Sequence, residues 1–155
     1  MLKIGQSAPD FSLPADTNAE ISLSGLRPAP VILFFYPRDD TPGCTIEAND
    51  FTALSAEFTA QGAQVFGISK DSLESHCKFR DKFDLAIPLL SDADGDVCEN
   101  YGVWDEKKMY GKTFMGITRT TVLIDGDGNI AQIWDKVKVE GHAQEVLAAT
   151  RALVS

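Results

Sequence analysis

Apolar residues run without a break from Val31 to Tyr36 (Val-Ile-Leu-Phe-Phe-Tyr). The mix of β-branched and aromatic side chains is the pattern of a strand buried on both faces, and Pro37 ends it. The spacing then changes. Cys44, Ala48, Phe51, Leu54, Ser55 and Phe58 recur at helical intervals behind a well-marked start. Thr41 is a good N-cap, and Pro42 takes the first helical position, where its missing N–H costs nothing. Gly62 is placed to stop this helix. Ala63 to Ser69 predicts a second strand, Ser72 to Phe83 a second helix, Ile87 to Leu90 a short apolar piece, and Val97 to Tyr101 a short helix. Arg119 to Asp125 and Ile130 to Asp135 flank Gly126-Asp127-Gly128-Asn129 and predict a hairpin, and His142 to Leu153 predicts a closing amphipathic helix. Residues 1–30 are rich in Pro, Gly, Ser and Asp, with short alternating pieces around Phe11-Ser12-Leu13 and Glu20-Ile21-Ser22-Leu23. They predict a hairpin or an irregular N-terminal cover. The whole order predicts an α/β fold, a central sheet flanked by helices, and fits a thioredoxin-like core.

Composition narrows the classes of function. The chain has 155 residues, the size of one domain with one substantial core, and residues 1–155 are expected to form a single unit. With 14 basic and 23 acidic residues the net charge is −9, and no Lys/Arg-rich run offers a local exception, so nucleic acid is excluded as the expected partner. No apolar run approaches the roughly 20 residues that span a bilayer. The segment Met1 to Gln6 lacks the apolar stretch of a secretory signal. The three cysteines, Cys44, Cys77 and Cys98, are too few and too irregular for a disulfide scaffold; they fit a reducing compartment, with the cytoplasm as the expected location.

Cys44 carries the candidate chemistry. With Thr41 as N-cap it lies at the third helical position, where unpaired N–H groups and the helix dipole stabilise a thiolate, the reactive form of the thiol. The Thr41 hydroxyl is expected to reach the Cys44 N–H. A thiolate, a hydroxyl and backbone donors in one small volume suit displacement at an O–O bond, with donors steadying charge on the departing oxygen. Pro37 shapes the loop and would shield the sulfur.

The segment Pro37-x-x-x-Thr41-x-x-Cys44 resembles the peroxiredoxin active-site signature. The fuller Thr41-Pro42-Gly43-Cys44-Thr45-x-Glu47 is similar to the bacterioferritin comigratory protein/peroxiredoxin Q subgroup. The resemblance continues through Leu89-Leu90-Ser91-Asp92, Tyr101-Gly102-Val103-Trp104 and Met109-Tyr110-Gly111-Lys112, and ends with Gly116-Ile117-x-Arg119-x-Thr121-x-Leu123-Ile124-Asp125. It implies a thioredoxin-like fold that reduces hydrogen peroxide and organic hydroperoxides through a cysteine sulfenic acid, with no metal or organic cofactor. It also implies roles: Cys44 is peroxidatic, Thr41 and Arg119 bind and polarise peroxide, and Pro37 shields. A guanidinium opening an apolar strand needs an anionic partner in any case, and a thiolate supplies one. Glu47 either orients Arg119 from the next helical turn or is a solvated helix charge.

Recycling requires a second thiol. Many members of the subgroup carry it five residues after the first cysteine, and that position here is Asn49. Others carry it on the helix that contains Ser75-His76-Cys77-Lys78-Phe79-Arg80, nearer Arg80 than Cys77. At about 100° per residue, Leu73, His76, Phe79 and Phe83 share a face and Cys77 sits on its flank, which makes Cys77 the expected resolving residue. Joining it to Cys44 requires Cα atoms within about 7 Å and therefore local unwinding. The alternative is a one-cysteine enzyme recycled by an external thiol. The resemblance implies thioredoxin or a similar dithiol protein as electron donor, and a monomer or weak dimer. Cys98 is expected to be structural.

Other signals are weaker. No CxxC pair exists, because Thr41 occupies the place of its first cysteine. Asp92-x-Asp94-x-Asp96 and Asp125-x-Asp127-x-Asn129 begin like calcium loops, yet lack Gly at the sixth position and Glu at the twelfth. His76 and His142 show no zinc spacing. Two rival classes stand: a Cys–His hydrolase, which needs a histidine beside Cys44, and a binding module inert toward peroxide.

Overall fold

The computed structural model describes residues 2–155. Its centre is a five-stranded mixed sheet built on β3 (Val31–Phe35), buried along its whole length. β4 (Gln64–Ser69) lies parallel to β3 on one side, followed by parallel β5 (Leu89–Ser91) at the edge. On the other side β8 (Thr120–Ile124) runs antiparallel to β3, and β9 (Ile130–Trp134) antiparallel to β8. Alternation along β3 divides the core. Ile32 and Phe34 face α1 (Pro42–Ala53), α2 (Ser55–Ala60), α3 (Leu73–Phe83) and α5 (His142–Val154), meeting Phe51, Phe58, Phe79 and Val146. Val31, Leu33 and Phe35 face the N-terminal cover, α4 (Val97–Asn100) and Tyr101.

The N-terminal cover contains the anticipated hairpin, β1 (Ser12–Pro14) paired with β2 (Glu20–Ser22). The helix expected to run from Thr41 to Gly62 is two helices. At Leu54 (φ −99°, ψ 5°) the N–H is shared between the carbonyls of Asp50 and Phe51, and the chain bends before α2. The bend lets Phe58 join the same core as Phe51, their rings 5.9 Å apart. Gly62 ends α2 with φ +73°, its N–H bonding Thr59 O while Ala63 N–H bonds Phe58 O, a left-handed stop that favours glycine.

One element has no counterpart in the apolar pattern. β6 (Trp104–Met109) and β7 (Lys112–Ile117) form a hairpin outside the main sheet, turning at Tyr110-Gly111 with both φ angles positive. Much of its surface meets water, so period-two alternation never develops. Asp92 explains the first calcium-like run: its buried carboxylate accepts the N–H groups of Val97 (3.2 Å) and Cys98 (2.8 Å) and so caps α4. Among the described residues, no helix is long and apolar enough to cross a membrane.

Gly67 on β4 shows how closely the layers fit. A methyl group there would lie 2.8 Å from the Phe34 ring and 2.9 Å from Leu89. Gly67→Ala is expected to destabilise the fold by about 1–3 kcal/mol, measured by urea unfolding.

Candidate active site

Two chain segments converge at one end of the sheet. Phe35 pairs with Thr120, so Arg119, just before β8, emerges beside the loop that follows β3. That loop turns at Asp40 (φ +57°) and delivers Thr41 to the start of α1. The first helical hydrogen bond of the turn runs from Thr45 N–H to Thr41 O at 2.9 Å. The N–H groups of Gly43 and Cys44 lie ahead of it and carry the positive end of the helix dipole.

Cys44 is buried, 1% exposed, and its Sγ accepts a hydrogen bond from Arg119 Nη2 at 3.4 Å. Arg119 Nη1 donates to Glu47 Oε1 at 2.8 Å. Burial alone would favour loss of the Arg119 proton; the Glu47 carboxylate and the Cys44 sulfur more than offset it. Glu47 is 2% exposed, so it is a buried partner of Arg119 and not a solvated helix charge. Its second oxygen, Oε2, has no hydrogen-bond partner. Burial pushes its carboxyl up to about 7, with Arg119 pulling the other way. Gly43 leaves room for this arrangement, since a Cβ there would lie 3.1 Å from Arg119 Nη2.

Thr41 departs from its expected role. Its hydroxyl does not bond the Cys44 N–H; it donates to Arg38 O at 2.8 Å. The Thr41 oxygen therefore acts in the cleft as an acceptor. Pro37 is exposed and lies on the rim.

The cleft holds about 530 Å³ and is bounded by Thr41, Cys44 and Arg119 on one side and by the β6–β7 hairpin on the other. The hairpin contributes Met109, Phe114 and Met115, all exposed, together with Lys107. The Lys107 stem crosses Gly116, where a Cβ would lie 3.1 Å from Cδ, and its Nζ donates to Ile117 O. Burial, then Arg119, lower the Lys107 pKa. Sequence reasoning did not find Lys107; a lysine on a mostly exposed strand has no signature of its own.

The other candidates lie elsewhere. Cys77 is exposed on α3, its Sγ donating to Asp16 O at 3.6 Å, and all three cysteines are free thiols. Cys98 is buried on α4; burial, then the neighbouring Asp92 carboxylate, push its thiol up. His76 bonds Asp39 and Leu90 O, and His142 bonds Thr121. Cys44 thus has an arginine beside it where a Cys–His hydrolase needs a histidine.

Glu47 links this site to stability. Its folded value, about 7, exceeds the ordinary 4.5, so the folded state holds the proton more tightly. That contribution is present below pH 4.5 and is lost as pH rises through 7. Glu47→Gln is expected to gain on the wild type by on the order of 2–3 kcal/mol across that interval, read from urea midpoints on both sides of it.

The comparisons agree with this geometry. The sequence pattern of the AhpC/TSA family matches residues 4–133. Peroxiredoxin Bcp of Bacillus subtilis is 43% identical over 146 residues, 94% of this chain and 93% of its own. Peroxiredoxin Bcp of Xanthomonas campestris is 49% identical over 122 residues, 79% of this chain and 76% of its own. A solved structure of the Xanthomonas campestris bacterioferritin comigratory protein, described for its alkyl peroxide reduction activity, superimposes with a TM-score of 0.92 at 40% identity, covering 99% of this chain and 100% of that one. Fold, cleft and sequence therefore place the chain in the AhpC/TSA family, among the Bcp/peroxiredoxin Q enzymes, as a thiol-dependent peroxidase.

Proposed function

We propose that Cys44 is the peroxidatic residue and that Arg119 and Thr41 hold the hydroperoxide against it. The observation that carries this reading is the Arg119 guanidinium, 3.4 Å from the sulfur through Nη2 and fixed on its other arm by Glu47. The Cys44 thiolate attacks one peroxide oxygen. The S–O bond forms as the O–O bond breaks, leaving a sulfenic acid and an alkoxide or hydroxide that takes a proton from water. Arg119 and the free N–H groups at the start of α1 steady the negative charge through the displacement. The Thr41 oxygen, its own hydrogen given to Arg38 O, accepts the hydroperoxide O–H and aligns it. Pro37 limits access of water at the rim. Alkyl hydroperoxides suit the cleft because Met109, Phe114 and Met115 offer an apolar wall to the organic group; hydrogen peroxide needs only the polar end.

Cys77 resolves the sulfenic acid in this reading. Its sulfur attacks Cys44, water leaves, and a disulfide forms that thioredoxin or a similar dithiol protein reduces by exchange. The exposure of Cys77 on α3 favours it, whereas the burial of Cys98 removes that thiol from play. Cys44 is buried on α1, so the first turn of that helix must unwind for the two sulfurs to meet. The chain works as one domain throughout.

Cys44→Ser is expected to abolish peroxide consumption with the thermal transition unchanged, and Cys98→Ser to retain it. One equivalent of peroxide is expected to give a Cys44–Cys77 disulfide, identified by peptide mass spectrometry. A persistent Cys44 sulfenic acid, with equal turnover in Cys77→Ser, would instead establish recycling by an external thiol.

A further inference from the structure

Asp39 lies in the loop between β3 and α1, two residues before Thr41, and its carboxylate is buried under three donors. The Tyr36 hydroxyl donates to Oδ1 at 2.6 Å; the Ser75 hydroxyl and His76 Nδ1 reach Oδ2 at 2.8 and 2.7 Å. The Asp39 N–H donates to Asp71 Oδ2 at 2.9 Å, an oxygen that also accepts the Ser69 hydroxyl at 2.6 Å. Ser75 and His76 belong to α3, the helix that carries Cys77. A second, exposed strap joins the same pieces, Lys82 of α3 to Asp40 at 2.8 Å.

His76 is fully buried, and its Nε2 meets the Leu90 carbonyl of β5 at 2.9 Å. Both ring nitrogens therefore face oxygens that accept, a carboxylate and a carbonyl. A neutral imidazole has one N–H and satisfies one of them; only the imidazolium satisfies both. Four groups face it from the elements around it: the Tyr36 hydroxyl of β3 at 3.4 Å, Asp39 of the loop, Asp71 of the turn before α3, and the Leu90 carbonyl. Burial works against the proton, and Asp39, the Leu90 carbonyl and Asp71 more than restore it, so the His76 pKa is raised. One side-chain atom each of Asp39, Asp71 and His76 lies within 4.8 Å of the others, so the imidazole packs against two carboxylates.

We propose that the His76–Asp39 pair is a latch that holds the Cys44 loop against α3, and that its opening governs how fast oxidised Cys44 leaves the cleft to meet Cys77. The inference rests on the reading of Cys77 as resolving residue. With the latch closed, Thr41 and the first turn of α1 stay where the peroxide step needs them. Opening it frees the loop for the resolving step, in which the Cys44 S–OH bond breaks, the S–S bond forms and water departs with the Cys77 proton. His76 and Asp39 are positioning residues here and touch neither substrate nor sulfur.

The test follows the two half-reactions separately, by stopped flow for peroxide attack and by acid-quenched mass spectrometry for disulfide formation. Asp39→Asn keeps the shape and removes the charge. It is expected to speed disulfide formation about tenfold, the scale of a lost charge-assisted hydrogen bond, and to slow peroxide attack. The ratio of variant to wild-type resolving rates is expected to fall toward one as pH rises and the wild-type His76 loses its proton; a ratio independent of pH, or an unchanged resolving rate, overturns the latch. Should Asp39→Asn fail to fold, Ser75→Ala removes one donor to the same carboxylate and is expected to speed resolution about twofold, with no change overturning the proposal. If the wild type forms no Cys44–Cys77 bond, the resolving assignment fails on its own. Sulfenic acid decay to added dithiothreitol then reads the latch: faster decay in the variant supports it and equal decay overturns it.

Discussion

The buried ion pair between Arg119 and Glu47 is the constraint around which the site is arranged. A carboxylate on the inner face of α1, with one oxygen unpartnered, is costly in a core of Phe51, Ala48 and Val146. The guanidinium makes it tolerable, and in return is held where its other arm reaches Cys44. Neither group is indifferent to the other: without Arg119 the buried Glu47 carboxyl would hold its proton still more tightly, and without Glu47 the guanidinium would lose the partner that fixes its other arm. Docking of α1 on the sheet and the polarity of the cleft are thus one problem with one solution.

Strand register makes that solution available. Residues 44 and 119 meet because β8 pairs antiparallel with β3, Thr120 opposite Phe35, which brings both connecting segments to the same end of the sheet. The β6–β7 hairpin precedes β8 directly, so the segment that presents Arg119 also supplies the apolar wall and Lys107. The Cys44 sulfur, the Arg119 cation and the apolar wall of the cleft are therefore supplied by α1 and by one continuous stretch from Trp104 to Arg119.

Beneath the site the pKa values of the two buried histidines are shifted in opposite directions. His76 sits between a carboxylate and a carbonyl, and its pKa is raised. His142 at the start of α5 meets the Thr121 hydroxyl at 2.8 Å, and burial lowers its pKa. His76 bonds Asp39 in the loop before α1, and His142 packs α5 against Trp134 and Phe51. Identical side chains thus serve as an electrostatic strut and a packing piece according to what faces their nitrogens.

By itself the sequence determined the elements with strong periodicity or clear ends: β3 from its apolar run, the start of α1 from Thr41-Pro42, the β8–β9 hairpin from its Gly-Asp-Gly-Asn turn, and α3 and α5 from their spacing. It also singled out Cys44, because a thiol in the first turn of a helix has a local electrostatic meaning. Tertiary structure decided what depends on partners distant in the chain. It buried Glu47, which helical spacing alone left open, because the charge that neutralises it arrives 72 residues later. It turned the Thr41 hydroxyl to Arg38 O instead of the Cys44 N–H, because the left-handed turn at Asp40 brings that carbonyl within 2.8 Å. It also raised the β6–β7 hairpin over the cleft, where exposure on much of its surface erases the alternation from which a strand is read. Local rules single out the Cys44 sulfur; its surroundings are set by contacts that no window of neighbouring residues contains.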